Sequence, residues 1–181
     1  MKRNAKSQWA ALVLLALLAP GCILVRTTEH WIKLNKDGSG EATLRLIDLR
    51  SDGTTDSAVV RDYGTLMGSL KKNGYSEFEH STRKVSDAQF FVHGDTLSVE
   101  IKYTFQALSA VEGLRVKEDK LYMAVYDSRE IVRTNGDVAT GQNHIQTITW
   151  PRDATRLMYV IREKQLPPST ALGPFYLKFG R

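Results

Sequence analysis

Apolar and polar residues alternate with a period of two through residues 29–35 and again through 41–49, where Ile32, Leu34, Ala42, Leu44 and Leu46 take alternate positions. That is the period of a strand with one buried face. The intervening Lys36-Asp37-Gly38-Ser39-Gly40 carries the glycines that a tight connection needs, so an opening β-hairpin is expected. The period then changes. Val59, Val60, Tyr63, Leu66, Met67 and Leu70 recur at spacings of three and four and predict one amphipathic helix over about 55–73. Thr54, Thr55, Asp56 and Ser57 are N-cap candidates, Lys71 and Lys72 lie near the negative end of the helix, and Gly74 follows as a left-handed stop.

Residues 75–85 and 88–93 read as extended, and His93-Gly94-Asp95 reads as a turn into Leu97, Val99, Ile101, Tyr103 and Phe105, which alternate strictly. A second short helix is expected over about 107–114, then strands over 121–126, 145–150 and 157–162, with a Gly- and Asn-bearing loop over 134–143. Beyond Lys164 come Pro167-Pro168, Gly173-Pro174 and the apolar Phe175-Tyr176-Leu177-Lys178-Phe179, which fits either a last edge strand or a frayed terminus. The fold class is α+β: a mostly antiparallel sheet packed against one main helix, with a second short one.

The first residues have a different pattern. A basic start from Met1 to Lys6 precedes an apolar stretch from Trp9 to Ala19, and then Pro20-Gly21-Cys22. This is the layout of a secretory signal. The apolar run is too short to span a hydrocarbon core of about 30 Å as a helix, so the leader reads as a transit element rather than a permanent membrane helix. The segment Leu18-Ala19-Pro20-Gly21-Cys22 resembles a bacterial lipobox, with small residues before the cysteine and Leu18 four residues ahead of it. The resemblance implies cleavage between Gly21 and Cys22 and a diacylglyceryl thioether on Cys22, usually with an amide-linked acyl chain; two or more chains anchor stably. Ordinary leader cleavage that leaves a free thiol is the plainer alternative.

The chain therefore divides into a signal peptide over 1–21, a short lipidated tether over 22–28 and a single α+β domain over 29–181. In the sorting systems that this leader resembles, inner-membrane retention is usually signalled by Asp after the cysteine. Ile23 stands there, which favours the outer membrane if the source is Gram-negative. The expected location is the cell envelope. Removing the leader, with its Lys2, Arg3 and Lys6, takes the net charge from +5 to +2, and the remaining charges are interleaved. The basic stripe of a nucleic-acid binder is missing. Cys22 is the single cysteine, so no internal disulfide can form and the core must hold by packing.

Taken in order, the Asp37-Gly38-Ser39-Gly40 hairpin, the helix exit Asn73-Gly74-Tyr75, and the strand from Leu97 to Phe105 leading into 107–114 resemble the LppM-like domain of bacterial lipoproteins, over about residues 25–115. The resemblance implies an envelope role and, as for some members, lipid or glycolipid binding. It supplies no ligand-contacting motif that can be carried onto these positions.

Direct chemical signals are sparse. Asn35, Asp37, Ser39 and Gly40 match the opening of a calcium loop, but its twelfth position is Leu46 where a bidentate Glu is required, so a hairpin turn is the better reading. His30, His80, His93 and His144 are far apart and read as solvated or strand-end residues, with no metal site among them. No G-x-S-x-G or H-E-x-x-H motif is present. Asp48, Asp62, Asp95, Glu100 and Asp153 are the acids from which an acid/base pair would be drawn, and exposed strand faces usually just solvate such groups. Trp31, Tyr63, Tyr103, Phe105, Tyr122, Tyr126 and Trp150 fill a core or line a groove between sheet and helix.

The expectation is a non-enzymatic, membrane-anchored envelope protein with no catalytic residues, metal or cofactor beyond the covalent lipid. It would hold a binding domain close to the membrane for a lipid, glycolipid or envelope-protein partner. Two alternatives stand beside it: a structural partner in an envelope assembly, and a hydrolase of envelope polymers.

Overall fold

The computed structural model describes residues 22–72, 82–141 and 145–180. The expected hairpin forms, and is longer than the alternation suggested: β1 (Ile23–Leu34) and β2 (Gly40–Ser51) pair antiparallel from Ile23 opposite Ser51 to Leu34 opposite Gly40. Its turn uses Gly38 at φ 84°, a conformation that costs a Cβ-bearing residue energy. The expected tether over 22–28 is corrected by this pairing. Ile23, Leu24 and Val25 are apolar and two are β-branched, and they extend the strand to the residue after Cys22.

The main helix is present as α1 (Asp56–Met67), continued by a wide π-type turn over Gly68–Lys72. Thr55 caps it in extended conformation, its hydroxyl accepting from the Ala58 N–H. Val59, Tyr63, Leu66 and Leu70 are buried, as the spacing required. The expected Gly74 stop and the extended reading of 75–81 lie outside the described residues, as do the leader and lipobox. Residues 83–93 form one continuous strand, β3 (Arg83–His93), with a bulge between Val85 and Asp87. It pairs with β4 (Thr96–Phe105), the strictly alternating segment.

Three further expectations are corrected. The short helix over 107–114 is a single 3-10 turn at Leu108–Ala110, because Val111 is fully buried in extended conformation and its burial outweighs a helix too short to nucleate. The described part of the loop over 134–143 contains β8 (Asp137–Thr140), which follows β7 (Arg129–Thr134); all of β8's residues are exposed, so no alternating apolar signal marked it. The tail forms neither a long edge strand nor a frayed end: a two-residue β11 (Thr170–Ala171) precedes α2 (Gly173–Phe179), whose Pro174 occupies the first turn, where its missing N–H costs nothing. The remaining strands are β5 (Leu114–Lys117), β6 (Lys120–Val125), β9 (Gln146–Pro151) and β10 (Arg156–Glu163).

Among the described residues these strands make two sheets. The larger runs β3-β4-β2-β1-β10-β7, with β11 added beside β2, and the smaller runs β5-β6-β9-β8. All pairings are antiparallel, and the fold is α+β. One face of the large sheet carries the core: Leu157, Ile32, Ala42 and Tyr103 form one row across β10, β1, β2 and β4, and Tyr159, His30, Leu44 and Ile101 form the next. Buried Trp150, Ile148, Leu121 and Met123 of the small sheet join the same cluster, with Tyr63 of α1 and Leu172 at the start of α2. Tyr63 lies 6.4 Å from the Phe175 ring and 6.3 Å from that of Phe179, which ties the helices together.

The Cys22 end of the hairpin is closed by polar contacts. Asp48, at φ 59°, is held by Arg26 at 2.7 Å and by Arg50 at 3.3 Å. The buried Ser51 hydroxyl donates to the Asp62 carboxylate of α1, pinning the helix to the strand end.

Glycine is required where β2 begins. A Cβ on Gly40 would meet the Lys33 carbonyl and lie 2.6 Å from Phe105 Cζ, whereas one on the exposed, helical Gly64 would touch nothing within 4 Å. Gly40→Ala is expected to lower unfolding free energy by about 2 to 3 kcal/mol. Gly64→Ala is expected to raise it by up to about 1 kcal/mol. Urea denaturation of both variants checks the pair.

Candidate functional site

The alternation that buries one face of the large sheet presents the other to solvent, and pairing assembles that second face from four strands. Arg156, Lys33, Glu41 and Thr104 stand side by side on β10, β1, β2 and β4; Met158, Trp31, Thr43 and Lys102 form the next row. Together with Ser86 and Asn135 they line a shallow, open hollow of about 660 Å³, in the size class of ligand sites. The next row, Val160, Glu29, Arg45 and Glu100, satisfies its own charges. Arg45 Nη2 donates to Glu100 at 2.7 Å, Nη1 lies 3.7 Å from Glu29, and the guanidinium stands 5.7 Å from the Trp31 ring centroid.

In the hollow the charges are less well matched. Lys33 faces Glu41 at 3.6 Å, a long contact between exposed side chains and therefore weak, and Lys102 lies 3.8 Å from the partly buried Glu100, whose shorter bond is to Arg45. Arg156 makes no ion pair among the described residues. It sits directly opposite Lys33 on the neighbouring strand, and like charges in that position repel.

Behind this face, in the core, His30 Nδ1 lies 2.7 Å from the Tyr159 hydroxyl and Nε2 lies 2.8 Å from that of Tyr103. A neutral imidazole donates from one nitrogen and accepts at the other, so both are satisfied. Burial, helped by the positive charge of Arg83, lowers the His30 pKa to about 3. Burial also raises Tyr103 to about 12, against the opposing charge and hydrogen bonding of Arg83, and raises Tyr159 further. The expected solvated strand-end histidine is thus a core residue, locked uncharged. It shared the phase of Ile32 and Leu34, and that was the available signal.

The other sequence candidates are dispersed. Cys22 is exposed, its backbone N–H donates to Asp52 Oδ1 at 2.6 Å, and Leu18, Ala19, Pro20 and Gly21 lie outside the described residues. Asp48 and Glu100 are held in ion pairs, Asp62 bonds Ser51, and Asp95 lies in the β3–β4 turn with its carbonyl accepting from Gly173 N–H. Asp153 lines a second hollow with Asp119, Asp137, Lys120 and Arg152. His93 ends β3 as an exposed residue; His80 and His144 are not among the described residues. Tyr63, Tyr103, Phe105 and Trp150 are core, Tyr126 is exposed, and Trp31 lies on the open face rather than between sheet and helix. Among the described residues, no group of three or more His, Cys, Asp or Glu side chains is placed to hold a metal, and no helix is long and apolar enough to cross a membrane.

Comparison with known proteins adds no relative. No family model matches the chain, and no curated protein or solved structure does so. The site is therefore read from its own chemistry.

The His30 network gives stability a defined pH dependence. Its pKa is lower folded than unfolded, so its contribution is complete above pH 6.5 and is lost as pH falls from there toward 3. The loss proceeds at up to about 1.4 kcal/mol per pH unit. Urea midpoints measured across this window should fall in the native protein. His30→Gln should remove that histidine-linked slope while costing about 1 to 3 kcal/mol at pH 7, the loss expected when buried hydroxyls lose a partner.

Proposed function

We propose that this chain is a lipid-anchored, non-enzymatic protein of the cell envelope, held at the membrane through Cys22, which uses the open face of the large sheet to bind its ligand. The reading is carried by one arrangement: an exposed, single cysteine stands immediately before the strand that also supplies Trp31 and Lys33 to the hollow. The lipobox-like residues before Cys22 support acylation, and the acyl chains would be the link to the bilayer. The resemblance to the LppM-like domain supports a lipid or glycolipid as ligand, and Ile23 after the cysteine supports the outer membrane in a Gram-negative source.

Docking of the Cys22 backbone on Asp52 matters to this role. The Asp52 carboxylate accepts from the Cys22 N–H, and the Asp52 N–H donates back to the Cys22 carbonyl at 3.3 Å. An amide-acylated Cys22 keeps that N–H, so the lipidated residue stays fastened to the sheet end.

A second reading, as a structural partner in an envelope assembly, draws on α2. Leu177 and Phe179 remain 57% and 51% exposed there, more apolar surface than a short terminal helix needs for its own packing.

Metabolic labelling tests the anchor. Cells making the full chain and fed an alkyne-tagged fatty acid should label the native protein and not Cys22→Ala, which should also keep its leader and run as the larger precursor. Undiminished labelling of the variant would overturn the proposal.

A further inference from the structure

The open face of the large sheet has a composition that an acyl chain does not match. By alternation, Ile32, Ala42, Tyr103 and Leu157 turn their side chains to the core, so the apolar groups offered to a ligand are chiefly Trp31 and Met158. Around them stand hydroxyls from Thr43, Thr104 and Ser86 and an excess of cations. An acyl chain calls for an enclosed apolar cavity; this hollow is shallow and open to solvent, with hydroxyl and charged side chains among its lining. A planar indole flanked by hydroxyls and charges suits a pyranose ring, which offers an apolar C–H face for stacking and a rim of hydroxyls for hydrogen bonding.

The charge pattern identifies the sign of the ligand. Lys33 and Arg156 face each other across adjacent strands, and Lys102 stands on the same face beyond Thr43. Among the described residues, Glu41 is the one carboxylate lining the hollow. An acidic group between Lys33 and Arg156 would turn a repulsive cross-strand pair into a bidentate anion site.

The position of the hollow adds a constraint that rests on the anchoring reading above. Trp31 lies nine residues along β1 from Cys22, about 30 Å at strand rise, with no slack between. The headgroup layer on one side of a bilayer is only about 5 to 8 Å deep. If β1 runs along the membrane normal from an anchored Cys22, the hollow stands clear of the headgroups, in the space of envelope polymers.

In place of the lipid or glycolipid that the resemblance suggests, we propose that this face binds an anionic glycan chain free of acyl groups, stacking a sugar ring on Trp31 and holding its acidic groups with Lys33, Arg156 and Lys102.

The test uses the full chain, as native protein and as Cys22→Ser, titrated calorimetrically in detergent with hexagalacturonate and with maltohexaose as the neutral counterpart, and tested after detergent removal for co-flotation with phosphatidylglycerol vesicles. Hexagalacturonate should bind both forms, more weakly as salt rises, and maltohexaose should bind about tenfold or more weaker. Trp31→Ala, Arg156→Thr and Lys102→Thr should each weaken hexagalacturonate about tenfold, the loss of one strong contact. Because Arg156→Thr also removes the repulsion with Lys33, its thermal midpoint should equal or exceed that of the native protein; a merely structural arginine would lower it. Absence of hexagalacturonate binding, or binding indifferent to these substitutions, overturns the proposal. So does vesicle binding by Cys22→Ser that Arg156→Thr abolishes, since that would place a lipid headgroup on this face. If Cys22 is not acylated yet hexagalacturonate binds as described, the anchoring reading fails and the glycan assignment stands.

Discussion

The structure depends on β1 being hydrogen-bonded along both edges while each of its faces has a different job. From Thr27 to Lys33 its residues pair with β10 on one side, and from Ile23 to Leu34 they pair with β2 on the other. Such a strand has little freedom to slip, because a shift of one residue would exchange its two faces. His30, Ile32 and Leu34 would move into water, and Glu29, Trp31 and Lys33 into the core. The buried imidazole enforces the register further, since only the observed pairing puts His30 beside Tyr159 and within reach of Tyr103. An unpartnered histidine at that depth would cost more than its packing returns.

The same strand joins the proposed anchor to the proposed binding face. Cys22 is fixed to Asp52, the next residue is already paired, and the strand continues without a hinge to Trp31 and Lys33. Sequence alone placed a tether there. The difference matters, because a flexible tether lets a domain sample the bilayer surface, whereas a paired strand sets a distance. Under the proposed anchoring, stiffness at the Cys22 end would separate a surface for membrane lipids from one for polymers beyond them.

Local patterns were legible where burial was one-sided and continuous. The hairpin, α1 and β4 show their period in the sequence because each packs a regular face against the core. β8 was hidden because both its faces meet solvent, and the segment over 107–114 misled because Val111 and Leu114 are buried in extended backbone rather than on a helix. Pro174, expected within an edge strand or a frayed terminus, opens α2. The candidate site was less legible for a different reason. Lys33, Lys102 and Arg156 each look like an ordinary solvated strand residue, and only the register across β10, β1, β2 and β4 brings them onto one face with Trp31. Pairing between residues more than a hundred positions apart, such as Lys33 with Arg156, leaves no local periodic trace.

The continuity of β1 is the central claim, and amide hydrogen exchange on the full chain purified from cells tests it most directly. The account predicts that the amides of residues 24–28 that donate to β2 are protected nearly as well as the paired amides of 29–34, because they open only when the sheet does. Exchange of residues 24–28 at the rate of an unstructured chain, with 29–34 still protected, would show a flexible tether and contradict it.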